Sequence, residues 1–222
     1  MLFNYNPPTD PYLEIIYQDD DLVVLNKPSE LLTVPGKDPK HADSLEKRVQ
    51  RVFPTATIVH RLDMATSGIL CMTLNKPAHR HISRQFQQRE TKKRYIARVW
   101  GALAPESGLV DLPLICDWPN RPKQMVDFER GKPSQTLWQV LSTQTLDCGN
   151  TVTRVALTPI TGRSHQLRVH MLSQGHVILG DRLYAHEDAL KAEPRLQLHA
   201  EFLSVRHPVT EEILEFNAPS PF

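Results

Sequence analysis

Cysteine is scarce: Cys71, Cys116 and Cys148 are the three in 222 residues. They are odd in number, lie far apart and form no C-x-x-C pair, which argues against a secreted disulfide framework and a zinc ribbon and favours a reducing cytoplasm. Apolar runs are short. None reaches the length of a membrane span, and the start, Met1-Leu2-Phe3-Asn4-Tyr5-Asn6-Pro7-Pro8, has neither the basic opening nor the apolar core of a leader. A cytoplasmic protein with no membrane partner is expected. There is no P-loop and no G-x-G-x-x-G run, which argues against a nucleotide cofactor. His165 and His170 stand five apart, so they miss the H-E-x-x-H pattern, and no metal or other cofactor is assigned. Internal repeats, low-complexity linkers and coiled-coil heptads are also missing, and the expected state is a monomer with no protein partner. Excess charge is lacking as well, since the net value is +1.

What is present is unevenly distributed. Lys76, Arg80, Arg84, Arg89, Lys92, Lys93, Arg94 and Arg98 crowd one segment opposed by Glu90 alone, whereas Glu187, Asp188, Glu193, Glu201, Glu211, Glu212 and Glu215 lie toward the C-terminus. A local basic surface follows. Tyr12 to Asn26 reads as two short strands around Asp19-Asp20-Asp21, the second ended by Lys27-Pro28-Ser29. Ser44 caps a short helix to Val52 with Leu45, Val49 and Val52 on one face. Asn75 caps another through about Gln88, with Ala78, Ile82 and Phe86 apolar and Lys76, Arg80 and Arg84 in a separate cationic row. Tyr95 to Gly101, Thr136 to Ser142 and Arg154 to Pro159 have strand composition. The later half reads as mostly sheet, except for a helix at Ser164 to Leu172 and before an alternating run from Leu196 to Phe202. Without a regular β-α-β rhythm, the expected fold class is α+β, with a largely antiparallel mixed β-sheet flanked by helices and loops.

The chemistry is expected at His60-Arg61-Leu62-Asp63, followed by Met64-Ala65-Thr66-Ser67-Gly68, a polar loop between Thr57-Ile58-Val59 and Ile69-Leu70-Cys71-Met72. Asp63 fits a nucleophile or general base, and equally a turn cap accepting backbone hydrogen bonds. Arg61 adds a cation two residues away, and Thr66-Ser67-Gly68 adds donors and a permissive backbone. A second constellation runs from Thr158 to His170, where Arg163 falls near a helix start; its guanidinium could keep a buried carboxylate ionised or simply face solvent. Lys92-Lys93-Arg94-Tyr95 sets cations beside a ring, a combination that can hold phosphates and stack on a base, or merely open a strand.

Taken together, Leu25-Asn26-Lys27-Pro28-Ser29, His60-Arg61-Leu62-Asp63 with Thr66-Ser67-Gly68, Lys93-Arg94-Tyr95, Thr161-Gly162-Arg163 with His165-Gln166-Leu167-Arg168, and Leu198-His199-Ala200 resemble the RluA family of pseudouridine synthases in order and spacing over nearly the whole chain. The resemblance implies a single catalytic domain over residues 1–222. It also implies isomerisation of uridine to pseudouridine in RNA: the N1–C1′ bond breaks, the base turns, and C5 bonds to C1′, with no energy donor. By the same match Asp63 is the catalytic carboxylate, Tyr95 stacks on the target base, Arg163 pairs with the aspartate and Leu198 lines the pocket. His60, Arg61, Lys93 and Arg94 fall among the substrate-binding positions. Arg61 is the expected filler of the gap left by the extruded uridine. The segment Asp111 to Gln124 is similar to one branch of the family, which implies action on stem-loops of 23S ribosomal RNA and of tRNA anticodon arms.

The chain departs from the family at Glu30, where relatives often have glycine. Glutamate adopts a left-handed turn less easily. Many relatives also carry an N-terminal S4-type RNA-binding domain; 59 residues precede His60 here, and a chain that is catalytic from end to end is expected. Two rival functions differ in class. An RNA-binding module would not need Asp63, Tyr95 and Arg163 together, and a glycoside hydrolase would need a second carboxylate beside Asp63.

Overall fold

The structure, a computed structural model, describes residues 5–146 and 149–222. Cys148 and residues 1–4 of the N-terminal stretch lie outside the described residues. Strands β1 (Ile15–Gln18) and β2 (Leu22–Lys27) precede α1 (Leu45–Gln50), β3 (Thr57–Ile58), β4 (Ser67–Thr73) and α2 (Lys76–Gln88). Next come β5 (Lys92–Trp100), β6 (Ser107–Asp111), β7 (Leu114–Cys116), β8 (Gln124–Val126), β9 (Gln135–Thr145) and β10 (Thr151–Pro159). The chain closes with α3 (Gln166–Ser173), α4 (Glu187–Lys191), β11 (Leu198–Arg206) and β12 (Ile213–Asn217). Two compact units result: residues up to Lys93 with Ala200–Pro221, and Arg94–His199 with Phe222. The fold is α+β, with a mostly antiparallel mixed sheet and few helices.

In the first unit the strand order is β1-β2-β4-β11, with β3 on β4 and β12 on β11. The runs Leu22-Val23-Val24-Leu25 and Ile69-Leu70-Cys71-Met72 are buried throughout, as expected of strands covered on both faces. Leu22, Val24, Ile69 and Cys71 pack with Leu203, Val205, Phe216 and Ile82 of α2, and Phe86 adds to the same cluster. Asn75 caps α2 by accepting from the Ala78 N–H at 2.9 Å, and Lys76, Arg80 and Arg84 are exposed. Helix α1 has the expected cap, Ser44 Oγ accepting from the Lys47 N–H at 3.3 Å. It stops at Gln50, however, and Val52 is 57 % exposed instead of joining Leu45 and Val49. Pro54 is the reason, because it biases Phe53 away from helical backbone.

In the second unit the order β5-β10-β9-β6 is antiparallel, and β7 and β8 form a separate hairpin. A second apolar cluster joins Val152, Val177, Leu179 and Ala189 to Trp100 and Tyr184. Strand β5 starts three residues before Tyr95, so the cations Lys92, Lys93 and Arg94 belong to the strand. Helix α4 escaped the sequence reading, because five residues are too few to display a period. Helix α3 begins at Gln166, two residues later than expected, and Gln166 to Met171 are all buried.

Candidate active site

The loop from Val59 to Thr66 connects β3 to β4. Its end is a turn in which the Thr66 N–H donates to Asp63 O at 3.1 Å, and Asp63 itself is partly buried. Three side chains, one from the end of β2 and two from the segment after it, hold this turn. Lys27, 0 % exposed, donates to Pro28 O at 2.9 Å, Leu31 O at 2.7 Å and Met64 O at 3.0 Å. Ser29 donates to Ala65 O at 2.6 Å. Thr33 donates to Leu62 O at 2.7 Å and accepts from the Leu62 N–H at 3.2 Å. The backbone is thereby fixed on both sides of Asp63, at Leu62, Met64 and Ala65. A buried ammonium is costly to desolvate, and carbonyl dipoles offset that cost. Beyond the turn, Gly68 has φ +116°, and a Cβ there would stand 2.3 Å from Ala200 O. Only glycine lets β4 begin this close to β11.

In the sequence Lys27-Pro28-Ser29 marks the end of a strand and belongs to the family pattern, with nothing to link it to the Asp63 turn, and Thr33 stands in no motif. A lysine ending an apolar strand beside proline was the available signal. Glu30, in the same turn, has φ 66°. The left-handed conformation suspected from the sequence is therefore present on a residue with a Cβ.

His60 precedes Arg61 and anchors the loop's other end. Its Nε2 accepts from the Cys71 N–H at 3.0 Å, and its ring stacks on Phe86 with centroids 4.5 Å apart. A backbone N–H can only donate, so Nε2 must keep its lone pair and the ring is neutral with its proton on Nδ1. Burial, reinforced by the Lys93 charge, pushes the His60 pKa down to about 3. Lys93 lies 5.8 Å from the Phe86 centroid, and burial lowers its own pKa. His60 and Lys93 thus both approach the Phe86 ring, whereas Arg61 is exposed.

The second unit holds the remaining expected residues. Tyr95 lies in β5 opposite Leu157 and is partly buried, Arg94 beside it is exposed, and Leu198 is buried at the start of β11. Arg163 is exposed; its Nε lies 3.4 Å from Pro133 O, and its N–H donates to Gln166 Oε1 at 3.0 Å. Gln166 is the hub of this turn. Its Oε1 also accepts from Thr161 Oγ1 at 2.7 Å, and its Nε2 donates to Gln135 O and Thr136 Oγ1 at 2.9 and 3.0 Å. A buried amide with both ends satisfied fixes the backbone that presents Arg163. Arg168 is buried and forms a two-point ion pair with Asp181 at 2.7 and 2.6 Å, and His165 Nδ1 stands 2.7 Å from Tyr184 Oη.

Among the described residues, Asp19, Asp21 and His207 form one group with the composition of a metal site. The histidine does not fit. Its Nδ1 accepts from the Val209 and Thr210 N–H groups at 3.3 and 3.0 Å. In the neutral ring the proton is therefore on Nε2, which donates to Asp19 Oδ2 at 3.0 Å and offers no lone pair to a cation.

The structure thus presents a loop carboxylate whose neighbours Leu62, Met64 and Ala65 are held by hydrogen bonds, with an exposed arginine two residues before it. The sequence matches the family model described as RNA pseudouridylate synthase over residues 21–173. The chain belongs to this family, and within it to the RluA group; it is an RNA pseudouridine synthase, an isomerase. It is 58 % identical over 219 residues to the dual-specificity RNA pseudouridine synthase RluA of Salmonella typhimurium, covering 99 % of this chain and 98 % of that protein. It is 57 % identical to the protein of the same name from Escherichia coli K12 with the same coverage, and 55 % identical to that of Pasteurella multocida over 100 % of this chain and 99 % of the other. The fold superposes on human RNA pseudouridylate synthase domain containing 1 with a TM-score of 0.81 at 32 % identity, over 98 % of this chain and 87 % of that one.

Proposed function

We propose that residues 1–222 act as one cytoplasmic, monomeric catalytic domain that isomerises uridines in stem-loops of 23S ribosomal RNA and of tRNA anticodon arms, with Asp63 as the catalytic carboxylate. The observation that carries this reading is the fixation of the Asp63 turn by Lys27, Ser29 and Thr33, in a chain related over its full length to dual-specificity synthases. In the reaction N1–C1′ breaks and C5–C1′ forms; the C5 proton leaves and N1 gains one. A carboxylate suits both halves, because it can attack or stabilise an electron-poor C1′ and then take the C5 proton. Tyr95 is assigned to stack on the target base, which contributes about 1–3 kcal/mol and tolerates base rotation. Arg163 is assigned to keep the carboxylate ionised, and Leu198 to line the pocket. Arg61 is assigned to the stack vacated by the uridine, and Arg94 with the exposed α2 cations to the phosphates. His60 and Lys93 serve this reading through the loop they support.

The test is tritium release from [5-³H]uridine-labelled tRNA and ribosomal RNA by wild type and Asp63→Asn, a nearly isosteric change. Release by wild type alone supports the assignment. Equal release by the variant removes Asp63 from the chemistry, and tight binding without release from either RNA favours a binder. Release from one RNA only corrects the dual target.

A further inference from the structure

We propose that the second unit carries a binding site for a phosphate group on the face of β5-β10-β9 turned away from Tyr95. Tyr95 and Arg98 are three residues apart in β5, so their side chains leave opposite faces of the strand. Arg98 stands directly across from Arg154 on β10, and Arg154 directly across from Ser142 on β9. Val152 and Gln144 form the next cross-strand pair on the same face. A bulge at Leu141, between the Arg154–Ser142 and Val155–Val140 pairs, bends β9 beside this row. The five side chains and Phe222 line a cavity of about 300 Å³.

Two guanidiniums placed opposite each other repel. Arg98 is neutralised by an ion pair with Glu193. Arg154 is treated differently: its Nε is buried and has no hydrogen-bond partner among the described residues. A donor in that position calls for an acceptor. Phosphate supplies one together with the compensating charge, and the planar guanidinium fork matches its oxygens in pairs. Ser142 and Gln144 add a hydroxyl and an amide on the same wall, while Val152 and Phe222 are apolar. The cavity exceeds a single phosphate group, so there is room for the sugar attached to it. The phosphate could belong to an RNA segment remote from the target uridine or to a small phosphorylated molecule, since the chemistry of recognition is shared.

The experiment follows arginine Nε–Hε resonances of the full chain by NMR during titration with inorganic phosphate, and then with a substrate stem-loop and a longer ribosomal RNA fragment. The expected result is a saturable shift of one resonance that is missing from Arg154→Lys, with phosphate binding at least about tenfold weaker in that variant and weakened less in Ser142→Ala. Arg154→Lys keeps the charge and the strand, so its folding can be checked on the remaining resonances. Movement of the same resonance by the longer RNA assigns the site to the RNA backbone; movement by phosphate alone assigns it to a small molecule. No saturable shift in wild type, or the same affinity in Arg154→Lys, overturns the proposal.

Discussion

Replacing Lys27 by methionine tests whether the buried ammonium positions the Asp63 turn. Methionine has a similar length and an apolar surface, so it fills the volume while removing the three hydrogen bonds to Pro28, Leu31 and Met64. Hydrogen bonds from a charged donor contribute about 1.5–3 kcal/mol each after exchange with water, so three sum to at most roughly 5–9 kcal/mol. One ammonium shared among three carbonyls delivers less than three independent bonds, and the variant leaves neutral carbonyls, not a charge, unpaired. The expected net destabilisation is about 2–4 kcal/mol, within a total of roughly 5–15 kcal/mol for a folded domain, so the variant should still fold. Activity should fall further than stability does. Two of the three carbonyls belong to the segment after β2, but Met64 O belongs to the turn itself. A displacement near 1 Å at a reacting group costs on the order of 10²-fold in rate, and kcat should drop by about that factor at a temperature where the variant is fully folded. Urea unfolding and tritium release, measured on the same preparation, give the two quantities. A stability change under about 0.5 kcal/mol with kcat within about twofold of wild type would refute the argument.

The pH dependence of stability should carry the mark of His60. Its folded pKa, about 3, lies below the ordinary 6.5, so below 6.5 the unfolded chain takes up a proton that the folded chain refuses. Stability contributed by the neutral ring is present above pH 6.5 and lost toward pH 3, at up to about 1.4 kcal/mol per pH unit. His60→Gln, which keeps an acceptor for the Cys71 N–H, should flatten the profile in urea titrations between those limits; an unchanged slope would count against a neutral histidine. Glu30→Gly should raise the urea midpoint by roughly 0.5–1 kcal/mol of stability, because relief of the left-handed strain outweighs the extra chain entropy of glycine; a loss of stability would mean that the glutamate side chain holds the turn. Arg80→Ala combined with Arg84→Ala should weaken RNA affinity across sequences and reduce the slope of log K against log salt by about 0.7 per lost phosphate contact. A wild-type slope would remove α2 from the RNA-binding surface.

Most of the local structure was legible in the sequence because local physics decides it. Ser44 and Asn75 announced their caps, the four-residue spacing of Ala78, Ile82 and Phe86 announced the buried face of α2, and the runs around Val23 and Leu70 announced strands. The order of the motifs announced the family, because each motif is a contiguous stretch that any sequence reading can match. Glu30 announced a strained turn, since φ preference belongs to a single residue. The partners of the buried polar groups were not legible. Lys27 reaches Met64 across 37 positions, Thr33 reaches Leu62 across 29, and Gln166 reaches Gln135 across 31. The Arg98–Arg154 row exists only through a strand register 56 positions apart. Spacing along a chain fixes which side chains share a face of one element; it carries no information about which distant backbone will supply a missing acceptor. The sequence by itself determined most of the longer elements, the family and the carboxylate to examine, and tertiary structure alone decided what holds that carboxylate in place, because buried donors are satisfied by whatever the folded chain brings to them.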